Sequence, residues 1–458
     1  MATDGVKRLG HWWRPEDPAR KVAGTLLTDV SGPLRLDLMD LLTDGHPDNR
    51  YPVVLGTTAD GTPVTLENLQ QLGRSGRVSR LLEKSVETEV LMAGAAYTGG
   101  HLPEASDRLF KRGVVDFTDL FEWAGYSGLE DTFGPEPIDI SLVLKNPAPL
   151  EAPLRFGRLA LRHGWAVTGD GLRSRGIEKS VGFVVDLNES LPLAGWLRSI
   201  VHPLRHLMTF STDRANEVRE LTFTSYRYDS TFGTPIEVAY ARPSSGPQTG
   251  PAHDFEFLFN ASTLGEKFAP VIGRWFRIIE EIGPVVDLFL GPRYRPATFV
   301  ENHFLNVVGS AEAYHRSRLS NALLLTAEHR ARVKEVIDSA PEEHRAWLRE
   351  RLEHSNEPSL RQRLTELHRR TAPIVQLLIG RADEFVGPVV KARNSLTHRG
   401  TRRHAPVSSG LDLLRMTEET TLLITACLLL DLGFDDGRAG TSIGRTRRFR
   451  LLTEGPCR

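Results

Sequence analysis

The chain has 458 residues, more than one ordinary hydrophobic core holds, so two or three domains are expected. Hydrophobic residues make up 40% and charged residues 25%, a balance that excludes a disordered chain. A net charge of −1 excludes nucleic-acid binding by bulk charge, so any such affinity has to come from local basic patches.

The first half reads as β-rich. Leu34, Leu36 and Leu38 alternate with Arg35 and Asp37, the period of a half-buried strand. Val53-Val54-Leu55 and Val64-Thr65-Leu66 flank Asp60-Gly61, a hairpin turn signal. Further strands are predicted at 158–166, 180–186, 221–228, 235–241 and 255–259, each bounded by Gly, Pro or Asn. One helix, 193–210, interrupts them. A sandwich or barrel-like sheet suits this pattern better than alternating βαβ units. Trp12 and Trp13 read as anchors of an N-terminal strand, with ligand stacking as the alternative.

The stretch Arg242-Pro243-Ser244-Ser245-Gly246-Pro247-Gln248-Thr249-Gly250-Pro251 is the clearest loop, either a linker or a long hairpin connection. A helical connector follows at 264–290, closed by Gly291-Pro292. From Ala297 onward the pattern is helical: Phe304, Val307, Val308, Ala311 and Tyr314 repeat at helical spacing. Ser339-Ala340-Pro341-Glu342 resembles a capping box with proline at the first helical position. Further helices are predicted at 360–370, 372–385, 389–398 and 411–432, with Gly400 as a C-cap and Ser408 or Ser409 as an N-cap. The expected class is α+β and multidomain. The parts are a β-rich region (1–250), a helical connector (251–298), an all-α bundle (299–435) and a basic C-terminal tail (436–458).

Two cysteines, Cys427 and Cys457, are too few for a zinc knuckle or a disulfide scaffold and suit a reducing cytoplasm. Met1-Ala2-Thr3-Asp4-Gly5 has no positive region followed by an apolar stretch, so no signal peptide is expected. The most apolar run, 422–430, is far shorter than the roughly 20 residues that span a bilayer, so no membrane partner is expected.

Chemistry concentrates in Lys391-Ala392-Arg393-Asn394-Ser395-Leu396-Thr397-His398. At about 100° per residue Asn394 and His398 share a helical face, while Arg393 lies roughly 140° from His398, so the pair converges only near a helix end or across a partner's surface. Lys391, Arg393, Arg399, Arg402 and Arg403 fall in an acid-free stretch, 391–404, that draws phosphate by local charge. RNA carries its own nucleophile, the 2′-hydroxyl. A histidine can remove that proton, and an arginine can stabilise the charge developing on phosphorus. This chemistry requires no metal or cofactor, and none is signalled.

Arg393 and His398, separated by four residues with Asn394 after the arginine, resemble the RxxxxH signature of HEPN ribonucleases in its Arg-Asn form. Residues 300–316, with Ala311-Glu312 and Tyr314-His315, look like the opening helix of the HEPN domain in ApeA-like proteins. Gly24-Thr25-Leu26, Val54-Leu55-Gly56 and Val64-Thr65-Leu66 look like strands of an ApeA N-terminal domain. The resemblance covers about residues 10–430. It implies an antiphage protein that cleaves RNA, often tRNA, as a HEPN dimer, with a phage-derived trigger acting on the N-terminal half. By carry-over Arg393 contacts phosphate, Asn394 positions substrate or its partner residue, and His398 is the base. Lys391, Arg399, Arg402 and Arg403 bind RNA, and Glu312 and His315 are secondary positions.

Blander readings stand beside these. Arg393 and His398 can be a solvated helical face. His404 is a loop residue or an alternative base. Arg445, Arg447, Arg448 and Arg450 form a flexible charged tail or, second, an RNA-docking run. His202 and His206 have a zinc-like i,i+4 spacing without a third ligand and read as a structural pair. Glu342-Glu343 and Asp435-Asp436 read as capping and surface acids. Asn188-Glu189-Ser190 and Asn260-Ala261-Ser262 match the glycosylation pattern, which has no meaning in the cytoplasm. No phosphate-loop motif is present, which disfavours nucleotide hydrolysis. The main alternative function is a non-catalytic dimerisation platform whose β-rich half binds a protein or glycan. A third is an RNA-cleaving toxin neutralised by a separate partner.

Overall fold

A computed structural model describes residues 6–28, 33–43, 49–78, 85–126, 128–133, 140–171, 173–226, 233–242, 252–295, 299–397 and 410–454. The chain forms two compact units, one of Met1–Met208 with Ala215–Gly250 and one of Thr209–Arg214 with Pro251–Arg458.

The first unit is built on a six-stranded antiparallel barrel. Its strands are β1 (Val6–Arg14), β2 (Asp17–Thr28), β3 (Leu34–Leu38), β4 (Arg50–Thr58), β5 (Pro63–Val78) and β6 (Ser85–Ala93). They close in the order β4-β1-β2-β3-β6-β5 and back to β4, so each of the six is paired on both sides. The predicted alternation in β3 holds, with Leu34, Leu36 and Leu38 buried against Leu26, Val54, Leu66 and Leu91. Trp12 sits fully buried in this core, a strand anchor. Its indole lies over Gly56, where a Cβ would come within 2.2 Å of the ring, so glycine is required there. The predicted hairpin between β4 and β5 turns through Gly61 at φ +85°, with the Asp60 carboxylate accepting from the Thr62 amide at 3.2 Å.

A bend in β5 lets one strand serve two sheets. Its first part pairs with β7 (Ala95–Thr98) and its second with β6, with a register shift between Gln71 and Gly73. The sheet then runs outward through β15 (Thr234–Tyr240), β14 (Val218–Ser225), β8 (Phe110–Phe117), β13 (Gly176–Leu191), β12 (Gly157–Thr168) and β11 (Leu150–Leu154). A separate hairpin joins β9 (Leu129–Phe133) to β10 (Ile140–Leu144). The strands expected near 158–166, 180–186, 221–228 and 235–241 overlap β12, β13, β14 and β15. A short helix α1 (Leu120–Ala124) follows β8. The helix expected at 193–210 is α2 (Leu193–Trp196), a π turn Leu197–Val201 and α3 (His202–Thr212) in succession.

The second unit is helical: α4 (Ala261–Leu264), α5 (Phe268–Tyr294), α6 (Val300–Arg318), α7 (Thr326–Ser339), α8 (Glu342–Leu352), α9 (Leu360–Ile379), α10 (Ala382–Thr397), α11 (Gly410–Asp431), α12 (Asp436–Arg445) and α13 (Arg447–Glu454). Helices α6, α9, α10 and α11 pack on one another around Phe304, Val308, Leu364, Val375, Val389 and Leu423. Among the described residues no helix is long and apolar enough to cross a membrane.

Several expectations are corrected here. Residues 255–259 are not a strand: a 3-10 turn covers Asp254–Glu256, after which Phe257, Leu258 and Phe259 are all buried, with no alternation. Gly291-Pro292 does not close the connector, because α5 runs on to Tyr294 and bends instead at Ile282, two residues before Pro284. Ser339 forms no capping box. It stays in α7, donating to the Val336 carbonyl at 2.9 Å, and Pro341 takes the cap position of α8. The helices expected at 360–370 and 372–385 are one helix through Pro373, and the break falls at Gly380 with φ +67°. The run read as a flexible charged tail is folded into α12 and α13. There Arg448 pairs with Asp213 and Glu418, and Arg450 with Glu256. Gly400, Ser408 and Ser409 lie outside the described residues.

Candidate active site

Helix α10 sets the position of the predicted motif. Phe385, Val386, Val389 and Ala392 are buried on its inner face, which turns Arg393 partly outward and leaves Lys391 and Asn394 exposed. The Thr397 hydroxyl donates back to the Arg393 carbonyl at 2.9 Å, one turn earlier on the helix. Arg393 Nη1 donates to Asn394 Oδ1 at 3.4 Å, and Nη2 lies 3.8 Å from Glu312 Oε2 on α6. The fold therefore brings together Arg393, Asn394 and Glu312, from positions about eighty residues apart. His398 follows directly on the last residue of α10 and, with Arg399, Arg402, Arg403 and His404, lies outside the described residues.

His315 is placed differently from Glu312, one turn on but fully buried. Its Nδ1 lies 3.2 Å from Arg363 Nη1 and its Nε2 2.8 Å from Glu366 Oε2. A guanidinium has donors only, so Nδ1 accepts and the ring proton sits on Nε2, directed to Glu366. Both ring nitrogens are used inside the protein. His315 is thus a strut behind Arg363, out of reach of a substrate proton.

The N-terminus of α9 completes the setting. Ser359 accepts from the Gln362 amide at 3.4 Å while the Gln362 side chain accepts from the Ser359 amide at 2.8 Å, a reciprocal cap that fixes the first turn. That turn carries Arg361 and Arg363. Arg363 is 1% exposed: Nη2 reaches Glu357 at 3.4 Å, and its Nε is buried without an acceptor. Burial pulls its pKa below the ordinary value and the neighbouring Arg316 adds to this, while Glu312 and Glu357 oppose it.

These side chains line one recess of about 470 Å³ between α6, α9 and α10. Four arginines (Arg316, Arg361, Arg363 and Arg393) face two carboxylates, Glu312 and Glu357. The local field therefore favours an anion, and arginine's planar fork matches phosphate oxygens. Lys391 does not line it. Arg316, Glu357, Arg361, Arg363 and Glu366 escape motif reading because they lie 27 or more positions from Arg393. The Ser359-Leu360-Arg361-Gln362 cap is the signal that would have located the first turn of α9 and its arginines. Among the described residues no group of three or more His, Cys, Asp and Glu is arranged to hold a metal ion.

Two family models match the chain. The model described as ApeA N-terminal domain 1 matches residues 7–275, and that described as Apea-like HEPN matches residues 305–438, a span that includes Glu312, Arg393 and His398. No curated protein and no solved structure matches the chain.

Proposed function

From the premise that the chain belongs to the ApeA family, with an ApeA N-terminal domain and an ApeA-like HEPN domain, we propose that it is an antiphage endoribonuclease. The observation that carries this reading is the placement of Arg393 and Asn394 at the end of α10, on the rim of a recess with twice as many arginines as carboxylates.

In the reaction the 2′-oxygen of RNA attacks the adjacent phosphorus and the 5′-oxygen leaves, giving a 2′,3′-cyclic phosphate and a 5′-hydroxyl end. His398 takes the 2′-hydroxyl proton, and the departing 5′-oxygen takes up a proton from water, which the imidazolium restores. Arg393 stabilises the charge on the phosphorane oxygens, and Asn394, which accepts from Arg393, holds the guanidinium and the substrate in register. Lys391, Arg399, Arg402 and Arg403 supply further phosphate contacts. The protein works without a metal in the cytoplasm, as a dimer in which two Arg–His pairs face one cleft, with the N-terminal unit restraining cleavage until a phage-derived signal arrives. Transfer RNA is the first substrate class to test.

The test is to incubate the purified full chain with tRNA in the presence of EDTA, with and without an extract of phage-infected cells to supply the signal, and to map the ends. Cleavage is expected to survive chelation, to leave cyclic phosphate ends, and to fall by about a hundredfold or more in Arg393→Ala and His398→Ala. Full antiphage protection by His398→Ala would overturn the enzymatic reading in favour of a non-catalytic role.

A further inference from the structure

We propose that the recess is a second phosphate site, in which Arg361, Arg316 and Arg363 hold a non-scissile phosphodiester of the RNA strand next to the one that Arg393 engages. This rests on the ribonuclease reading above for the identity of the strand, and adds residues that the motif does not contain.

Three independent features converge on it. First, the recess is asymmetric in charge, and the arginine excess lies on the α9 side, where Arg361 is exposed. Second, the amides of Leu360 and Arg361 open α9, where a helix leaves its donors without intrahelical acceptors and favours an anion. Third, Arg363 is almost wholly buried yet keeps a donor, Nε, without an acceptor. A buried unpaired donor forfeits its hydrogen bond to water, and this one belongs to a residue that lines the recess. Here the fold also builds a strut to hold that guanidinium: Glu366 fixes the His315 tautomer, and His315 Nδ1 accepts from Arg363 Nη1. Such a chain is wasteful for a residue whose only task is to fill space. It makes sense for a cation whose fork has to be rigid when a phosphate oxygen arrives.

Arg316 fits the same picture. It pairs with Glu312 at 3.5 Å and Glu357 at 3.7 Å, both partly exposed, and a phosphate oxygen competes well with such loose pairs. Arg393, on the opposite rim, likewise makes only a loose ion pair, with Glu312. Cations from α6, α9 and α10 thus line one recess, beside the phosphate that Arg393 engages.

The experiment is equilibrium binding of a short, labelled 2′-O-methyl oligoribonucleotide to the full chain over a range of salt. This probe keeps the phosphodiesters and lacks the nucleophile. The variants are Arg361→Gln and Arg316→Gln, both at exposed positions, with Arg330→Gln on α7 as a charge-matched control outside the recess. Arg363→Lys tests the buried fork and is read only beside the first two. The double variant Arg361→Gln/Arg316→Gln is expected to weaken binding about tenfold and to lower the slope of log affinity against log salt by about 0.7 for each phosphate no longer neutralised. Arg330→Gln should match the wild type. An unchanged slope in the double variant, an equal fall in Arg330→Gln, or no binding by the wild type each overturns the proposal. The outcomes separate the two readings. Arg393-dependent cleavage with an unchanged slope sinks the second phosphate site alone, whereas a reduced slope in a chain that cleaves no RNA keeps the site and sinks the ribonuclease.

Discussion

Two of the clusters of arginines and carboxylates in the helical unit look alike in composition and differ in how completely their charges are paired. In the first, Asp213 lies between Arg293 (2.8 Å) and Arg448 (3.1 Å), and Arg448 also pairs with Glu418. Two cations meet two anions, all largely buried. In the second, the recess, four arginines meet two glutamates and most pair distances exceed 3.3 Å. The first cluster is complete, and a complete buried cluster offers nothing to a ligand. The second is short of anions. The lesson is that arginine counts do not locate a site; the balance between cations and their partners does.

The largest predicted effect lies in the closed cluster. Burial alone would raise the pKa of Asp213, but Arg448 and Arg293 outweigh it and hold the carboxyl below its ordinary value of 3.8. Asp213 also adopts a left-handed backbone (φ +55°) that asparagine tolerates, so Asp213→Asn removes the charge and keeps the turn. The variant should lose about 3 kcal/mol of stability in denaturant melts at neutral pH, because two guanidinium groups are left with a single carboxylate. The sign with pH follows from a folded pKa below the unfolded one. The contribution is complete above the ordinary carboxylate range and is lost as pH falls through the folded value, so wild type and variant should converge only in acid. A constant gap down to the lowest pH at which the protein folds would refute this assignment.

The second prediction inverts the comparison. Arg393→Ala should leave stability within about 1 kcal/mol of the wild type, since its ion pair with Glu312 is loose and partly exposed. The same change should slow RNA cleavage by about a hundredfold to a thousandfold, the usual effect of removing a donor aimed at developing charge. Loss of folding in Arg393→Ala would place Arg393 with the closed cluster.

The contrast also marks what the sequence discloses. Alternation in 34–38 and the Asp60-Gly61 turn announce strands and a hairpin because both signals are local. The motif Arg393-Asn394 is legible for the same reason. Closure of the barrel is not, because β3 meets β6 across fifty residues and β5 changes partners in mid-strand. Proline misleads where packing overrides it: Leu364, Leu367 and Val375 are buried on both sides of Pro373, and the helix runs on. The basic run 445–450 reads as a tail because its acids, Asp213, Glu256 and Glu418, come from three remote segments. Arg363 stays hidden because a buried arginine next to a buried histidine has no pattern in one dimension.

A third, smaller effect probes the strut. His315→Leu should cost about 1–3 kcal/mol, by leaving one donor of Arg363 and the Glu366 carboxylate without their partner. His315→Gln, which can accept and donate, should recover part of that loss in the same melts. If the leucine variant is fully stable and binds RNA as well as the wild type does, Arg363 needs no support and the strut has no function.

The smallest effect is expected at Glu312, where the two clusters differ most plainly in kind. Glu312 touches Arg393 and Arg316 at 3.8 and 3.5 Å, and it is partly open to solvent. Such pairs contribute about 0–1 kcal/mol, so Glu312→Gln should barely move the melting curve. It removes a negative charge that a phosphate must displace, and so should tighten oligonucleotide binding about two- to fivefold at low ionic strength, with the advantage vanishing as salt screens it. Asp213→Asn offers no such gain, because no ligand competes for its arginines. Weaker binding by Glu312→Gln at every salt concentration would mean that Glu312 orients Arg393 rather than restraining it, and would move the carboxylate from the counter-ions to the working parts of the site.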